Sequence, residues 1–89
     1  MMNTDSFANQ SFLNTVQMLP HDVFNYTKIE AFDADLITEK AVLLIFRLKD
    51  SHQKRSRWIP FSQLRKDNNN EIWLSNWIYS RIKSDGKND

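Results

Sequence analysis

The chain has 89 residues and a net charge of +1, with three Trp, six Phe, two Tyr and no Cys. A single domain of this length buries only about 60–65% of its unfolded surface, so its core must be dense in large side chains. Lack of cysteine excludes a disulfide framework and a thiolate metal site, and no stretch has the length and apolarity of a signal peptide or membrane anchor; a cytoplasmic location is expected.

The small net charge hides an asymmetry. Residues 1–46 carry two cations against six acids, whereas residues 47–89 carry ten against five. Seven of those ten, Arg47, Lys49, Lys54, Arg55, Arg57, Arg65 and Lys66, lie between positions 47 and 66 with Asp50 as the only acid among them. If their side chains share a face, they form an anion-attracting surface.

Residues 1–6 are polar and aperiodic, and read as disordered. Ala8, Phe12, Val16 and Leu19 then recur at helical spacing, with Asp5 or Ser6 as a cap and Pro20 as the stop. From Tyr26 to Ile37 partial alternation sets Tyr26, Lys28 and Glu30 against Thr27, Ile29 and Ala31, predicting a strand with a bulge or bend near Asp33-Ala34-Asp35. Lys40 to Leu48 contains the unbroken run Ala41-Val42-Leu43-Leu44-Ile45-Phe46, a central strand that needs cover on both faces. The connection Ser51-His52-Gln53-Lys54-Arg55 lacks glycine, so a loop longer than a two-residue turn is expected.

Arg57-Trp58-Ile59-Pro60 gives a third strand ended by a proline that cannot donate to a ladder. Asp67-Asn68-Asn69-Asn70 supplies the next reversal, because these residues tolerate left-handed backbone. Glu71-Ile72-Trp73 predicts a short fourth strand. Ser75 then caps a helix in which Leu74, Trp77, Ile78 and Ile82 share a face, closed by Gly86, before a disordered tail at 85–89. On this reading Trp58 and Trp77 are both core residues, packed on each other or on shared neighbours.

The order of Glu39-Lys40-Ala41, apolar strand, polar hairpin, Trp58-Ile59-Pro60-Phe61-Ser62-Gln63-Leu64, polar turn, and Ile72 with Ser75 and Trp77 resembles a group of small, poorly characterised proteins of bacteriophages and related mobile elements. Those carry a Trp-Ile-Pro-Lys-Ser-Gln-Ile strand end and a downstream Trp-containing helix. The likeness covers residues 30–83, with Phe61 standing where the group commonly has lysine. It implies a compact domain of mobile-element origin and transfers no catalytic residue.

No constellation of nucleophile, base or metal ligands stands out. His21 and His52 are isolated, and Ser62 after Pro60 reads as a turn residue bonded to backbone. Asp33 and Asp35, near Glu30 and Glu39, read as same-face charges that guard a sheet edge against aggregation. Cations around Trp58, in contrast, combine phosphate attraction with a stacking surface.

The expectation is therefore an α+β domain over residues 7–84: a small curved antiparallel sheet of three or four strands, either open or rolled into a partly open barrel of the SH3 or OB kind, with a C-terminal helix and, before the sheet, either an N-terminal helix or an irregular arm lying on it. Functionally, a non-enzymatic accessory protein is expected, without cofactor or metal, that binds nucleic acid through Arg47, Lys49, Lys54, Arg55, Arg57, Arg65 and Lys66. The alternative is a protein-binding module, such as an inhibitor of a host defence complex, docking by the same basic rim or by the acidic 30–39 edge.

Overall fold

The computed structural model describes residues 11–85. Phe12 and Leu13 in α1 (Ser11–Thr15) and the following Val16 are buried. Ala8 and the expected caps, Asp5 and Ser6, lie outside the described residues. The helix does not run on to Pro20. Its last turn closes when Val16 N donates to Phe12 O (3.2 Å), and the chain then extends as β1 (Gln17–Met18), pairing in parallel with a later strand, Leu64–Lys66. Tertiary pairing thus replaces the last helical turn that spacing alone suggested.

A 3-10 turn, Val23–Asn25, is capped by Asp22, whose Oδ1 accepts from Phe24 N (3.3 Å). Beyond it the expected strand divides in two, β2 (Tyr26–Lys28) and β3 (Glu30–Ile37). Ile29 is the switch: it is buried, its N–H donates to Ile72 O (3.0 Å), and the next residue, Glu30, already pairs with Arg47 in a second sheet. β4 (Ala41–Arg47) and β5 (Arg55–Pro60) complete that sheet in the order β3-β4-β5, so the apolar run is the central strand. A 3-10 turn at Phe61–Gln63 follows Pro60 and leads into β6 (Leu64–Lys66), β7 (Ile72–Ser75) and α2 (Asn76–Asp85). The first sheet is ordered β1-β6-β7-β2.

The α+β class holds; among the described residues seven strands form two sheets, one of them joined through a parallel pair, and the sheets are not closed into a barrel. Short strands that change sheet had too little sequence in each to show a period. Asp85, expected in the tail, is the last residue of α2.

One core joins both sheets. Val42, Leu44 and Phe46 of β4 and Ile59 of β5 meet Leu64, Ile72 and Leu74 of the other sheet, while the Phe12 and Phe61 rings lie 6.3 Å apart at a tilt. Phe12, Val42, Leu44, Phe46, Leu64 and Leu74 are wholly excluded from solvent. β4 is not sealed on both faces, however. Ala41, Leu43 and Ile45 on its other face are only half-buried.

Both tryptophans assigned to the core lie outside it. Trp58 is 50% exposed and Trp77 is 62% exposed. Cross-strand register pairs Trp58 with Leu43 on the outward face, leaving Ile59 to point inward. α2 begins at Asn76, and its buried positions are Tyr79 and Ile82, with Ile78 packed beside them. Trp77 lies two positions, about 200°, round the helix from Tyr79 and so faces away. Arg81 covers its ring from the next turn at 5.1 Å.

The polar connections act as expected. Ser75 Oγ accepts from Ile78 N (3.3 Å), capping α2, and donates to Gln63 Oε1 (2.6 Å). Asn70 takes the left-handed conformation (φ 61°) in the 67–71 reversal. β3 is an edge strand with register shifts between Ala31 and Asp33 and between Ala34 and Leu36. Both acids lie on this edge strand: Asp33 pairs with Ile45, and Asp35 is the extra residue of a bulge.

Candidate nucleic-acid interface

Alternation fixes which side chains of the first sheet face outward. Ile72 and Leu74 point into the core, so Trp73 between them points out, and its register partners on either side are Lys28 and Arg65. A cation, an indole and a second cation therefore cross the sheet in one row. Lys28 Nζ stands 5.5 Å from the Trp73 ring centroid and pairs with Glu71 (3.4 Å). Arg65 reaches over the neighbouring Tyr26 ring at 5.2 Å, its Nη1 anchored on the carbonyls of Leu64 (2.7 Å) and Ser62 (2.9 Å).

Trp73 is held in place by Asp67. Its Nε1 donates to Asp67 Oδ2 (3.0 Å), while Asp67 Oδ1 accepts from the backbone N–H groups of Asn69 (2.9 Å) and Glu71 (3.0 Å). Burial alone pushes the Asp67 carboxyl up. The Trp73 indole, the Glu71 and Asn69 N–H groups and the Lys28 charge outweigh that push and hold it below its ordinary value.

Where β2 passes into β3, the outward surfaces of the two sheets meet in an open cleft of about 830 Å³ whose walls include Tyr26, Lys28, Phe32, Lys49, Glu71 and Trp73. Phe32 is the extra residue of the first β3 bulge, which turns its ring outward. Lys54 Nζ lies 4.4 Å from that ring and the Arg47 guanidinium 5.6 Å. Arg47 also forms an ion pair with Glu30, its Nε donating over 3.0 Å. Each of the three rings thus has a cation on it, a favourable arrangement that also keeps the cation beside an aromatic face.

The seven cations singled out in the sequence do not share one face. Arg47, Lys49 and Lys54 gather at the Phe32 end of the cleft, and Arg65 stands on Tyr26 at the other. Arg55 is buried, 9% exposed, with Nη1 donating to Ile82 O (3.3 Å) near the C-terminal end of α2. Lys66 Nζ donates to Leu13 O and ties α1 to β6. Arg57 stands apart on the edge strand β5, with Nη1 on Ser56 O (3.0 Å).

Sequence reading missed Tyr26, Lys28, Phe32 and Trp73. The signal for three of them was present: alternation had set Tyr26 and Lys28 on a wet face, and Ile72 and Leu74 flank Trp73. Phe32 depends on a bulge, which a period of two does not show. Among the described residues no group of three or more His, Asp or Glu is placed to hold a metal ion, and no helix is long and apolar enough to cross a membrane. Ser62 Oγ lies 3.5 Å from the Gln63 amide. No protein family, curated protein or solved structure matches the chain.

Proposed function

We propose that this chain is a non-enzymatic accessory protein of a bacteriophage or related mobile element that binds single-stranded nucleic acid along the Tyr26–Trp73–Phe32 cleft. The observation that supports this reading is the pairing of each outward ring with a cation: Lys28 on Trp73, Arg65 on Tyr26, Lys54 and Arg47 on Phe32. Bases stack on any aromatic face, and cations alongside neutralise the phosphates between them. Around the cleft, Lys28, Arg47, Lys49, Lys54 and Arg65 outnumber Glu30, Glu71 and Asp67. The acids do not abolish attraction, because each is engaged by a neighbouring cation or N–H donor.

Anisotropy of a fluorescently labelled oligonucleotide tests it. Binding should be micromolar at about 50 mM salt and fall at least tenfold by about 200 mM, since each neutralised phosphate adds about 0.7 to the slope for a single strand. Trp73→Ala should weaken binding by about 1–3 kcal/mol, the usual value of one stacked base, while Lys54→Gln should lower the salt slope by roughly one contact. Arg55→Gln should not change that slope. Failure to bind single- and double-stranded oligonucleotides at about 50 mM salt would overturn the proposal in favour of a protein partner.

A further inference from the structure

Stacking on an aromatic ring accepts every base, so selectivity in the cleft has to come from the polar groups beside the rings. At Trp73 these are few, and the backbone places them. Lys28 is the cross-strand partner of Trp73 on β2, and Glu71, two residues before Trp73, shares its outward face and lines the cleft with it. The Glu71 main chain is fixed within the 67–71 reversal: its N–H donates to Asp67 Oδ1 (3.0 Å), and its carbonyl accepts from Asp67 N (3.0 Å). Lys28 reaches across on the diagonal, so that its Nζ meets Glu71 Oε1 at 3.4 Å while standing 5.5 Å from the Trp73 ring centroid.

The order of donor and acceptor beside the ring follows from that placement. An ammonium, which only donates, stands next to a carboxylate, whose two oxygens only accept. Among the common bases guanine alone presents the complement along one edge, with O6 accepting and N1–H and N2–H2 donating side by side. Cytosine and adenine each offer one amino group beside a ring nitrogen that accepts, so the second carboxylate oxygen would face a lone pair. Thymine or uracil satisfies the ammonium through O4 and one oxygen through N3–H, then sets O2 against the other oxygen. Lys28 is half-exposed on a flexible four-carbon stem, which lets it yield the ring face to a base and stay at the edge of that base. The arrangement does not recur at Phe32, where both Nε and Nη2 of Arg47 hold Glu30.

We infer that the Lys28–Glu71 pair gives the Trp73 position a preference for guanine, read along its Watson–Crick edge, with O6 on Lys28 and N1–H and N2–H2 on the Glu71 carboxylate. This preference rests on the reading of the cleft as a single-strand site and adds a base identity at one of its positions. Because the Glu71 side chain is 29% exposed, the discrimination is about five- to tenfold, the lower part of the range for a bidentate base contact.

Anisotropy of labelled oligothymidylates of about twelve residues, substituted at the two central positions, tests it at about 50 mM salt. Guanine there should bind about five- to tenfold tighter than adenine or cytosine, and 7-deazaguanine, whose Watson–Crick edge is intact, should match guanine. Inosine lacks the N2 amine and should fall between guanine and adenine, which separates edge reading from the stronger stacking of a purine. Glu71→Gln has an amide that accepts at one end and donates at the other, the complement of adenine, and should bring the guanine-to-adenine affinity ratio to about one or below. Far-UV circular dichroism and the melting midpoint check that this variant is folded. Equal affinity for guanine, adenine and cytosine, inosine binding as tightly as guanine, or a guanine preference unchanged in Glu71→Gln would each overturn the inference and leave the cleft a sequence-neutral binder. Failure of every strand to bind would instead overturn the single-strand reading, and the guanine preference with it.

Discussion

Asp67 shows how much one side chain can organise in a domain with a single glycine. It closes the 67–71 reversal with two backbone N–H bonds, and its second oxygen orients the indole on which the cleft depends. Asp67→Ala should cost about 1.5–3 kcal/mol in urea unfolding, the range for hydrogen bonds to a charged group, and should loosen oligonucleotide binding as well. The pH dependence has a definite sign. Because the folded carboxyl is held below its unfolded value near 4, it contributes stability above that pH, and the contribution is lost as pH falls through and below it. Urea midpoints taken between about pH 6 and 2 should fall less steeply for Asp67→Asn than for the parent. Tyr79 works at the other end of the scale: burial, then the nearby Asp50 charge, raises its hydroxyl above the ordinary value. Stability should decline as pH rises past about 10, where the unfolded chain releases a proton that the folded one keeps.

Among the elements, β4 was the most legible, because six successive apolar residues, Ala41 to Phe46, mark a central strand, although such a run does not show which face turns inward. Its central position, the proline stop of β5, the asparagine reversal and the Ser75 cap were readable for the same reason: each depends on local chemistry. The three-residue β6 and the sheet change at Ile29 were not, since neither is long enough to carry a period. α2 shows a subtler failure. Leu74, Trp77, Ile78 and Ile82 make a plausible stripe only if the helix includes Leu74, but that residue belongs to β7, and the remaining stripe is Ile78, Tyr79 and Ile82. A direct consequence is that Trp77→Ala should cost about 1 kcal/mol or less, whereas Ile82→Ala, which empties a buried site, should cost about 2–5 kcal/mol. Thermal or urea melts of the two variants side by side check this ordering; equal losses would place Trp77 in the core after all. Of the candidate interface, Arg47, Lys49, Lys54 and Arg65 were singled out in the sequence, and Lys28 was not. The sorting of the cations was not legible, because burial of Arg55 and the engagement of Lys66 with Leu13 arise from contacts with distant elements.

For the whole molecule, the decisive feature is that two sheets without a barrel closure share one interior. Ile29 belongs by hydrogen bond to the first sheet and leads directly into the second, and Leu44 of one sheet and Leu74 of the other are both wholly excluded from water in the same cluster. Neither sheet could keep its inner face covered if the other left, and a domain of this size has only about 5–10 kcal/mol to lose. Unfolding should therefore be a single cooperative transition. Leu44→Ala and Leu74→Ala should each cost about 2–5 kcal/mol and shift every probe together, including far-UV circular dichroism and the emission of Trp73 in one sheet and Trp58 in the other. Replacing Trp77 removes a solvent-facing indole from the signal and leaves the core intact, and replacing Trp58 as well leaves Trp73 as the lone reporter for comparison. If Leu74→Ala were to lower the midpoint seen by Trp73 and leave that of Trp58 where it was, the sheets would be independent units, and the cleft between them would lack the rigid walls that stacking requires. Coincident shifts would mean that the interior common to both sheets also fixes the distance between Trp73 and Phe32, the two rings that the proposed stacking of bases would use.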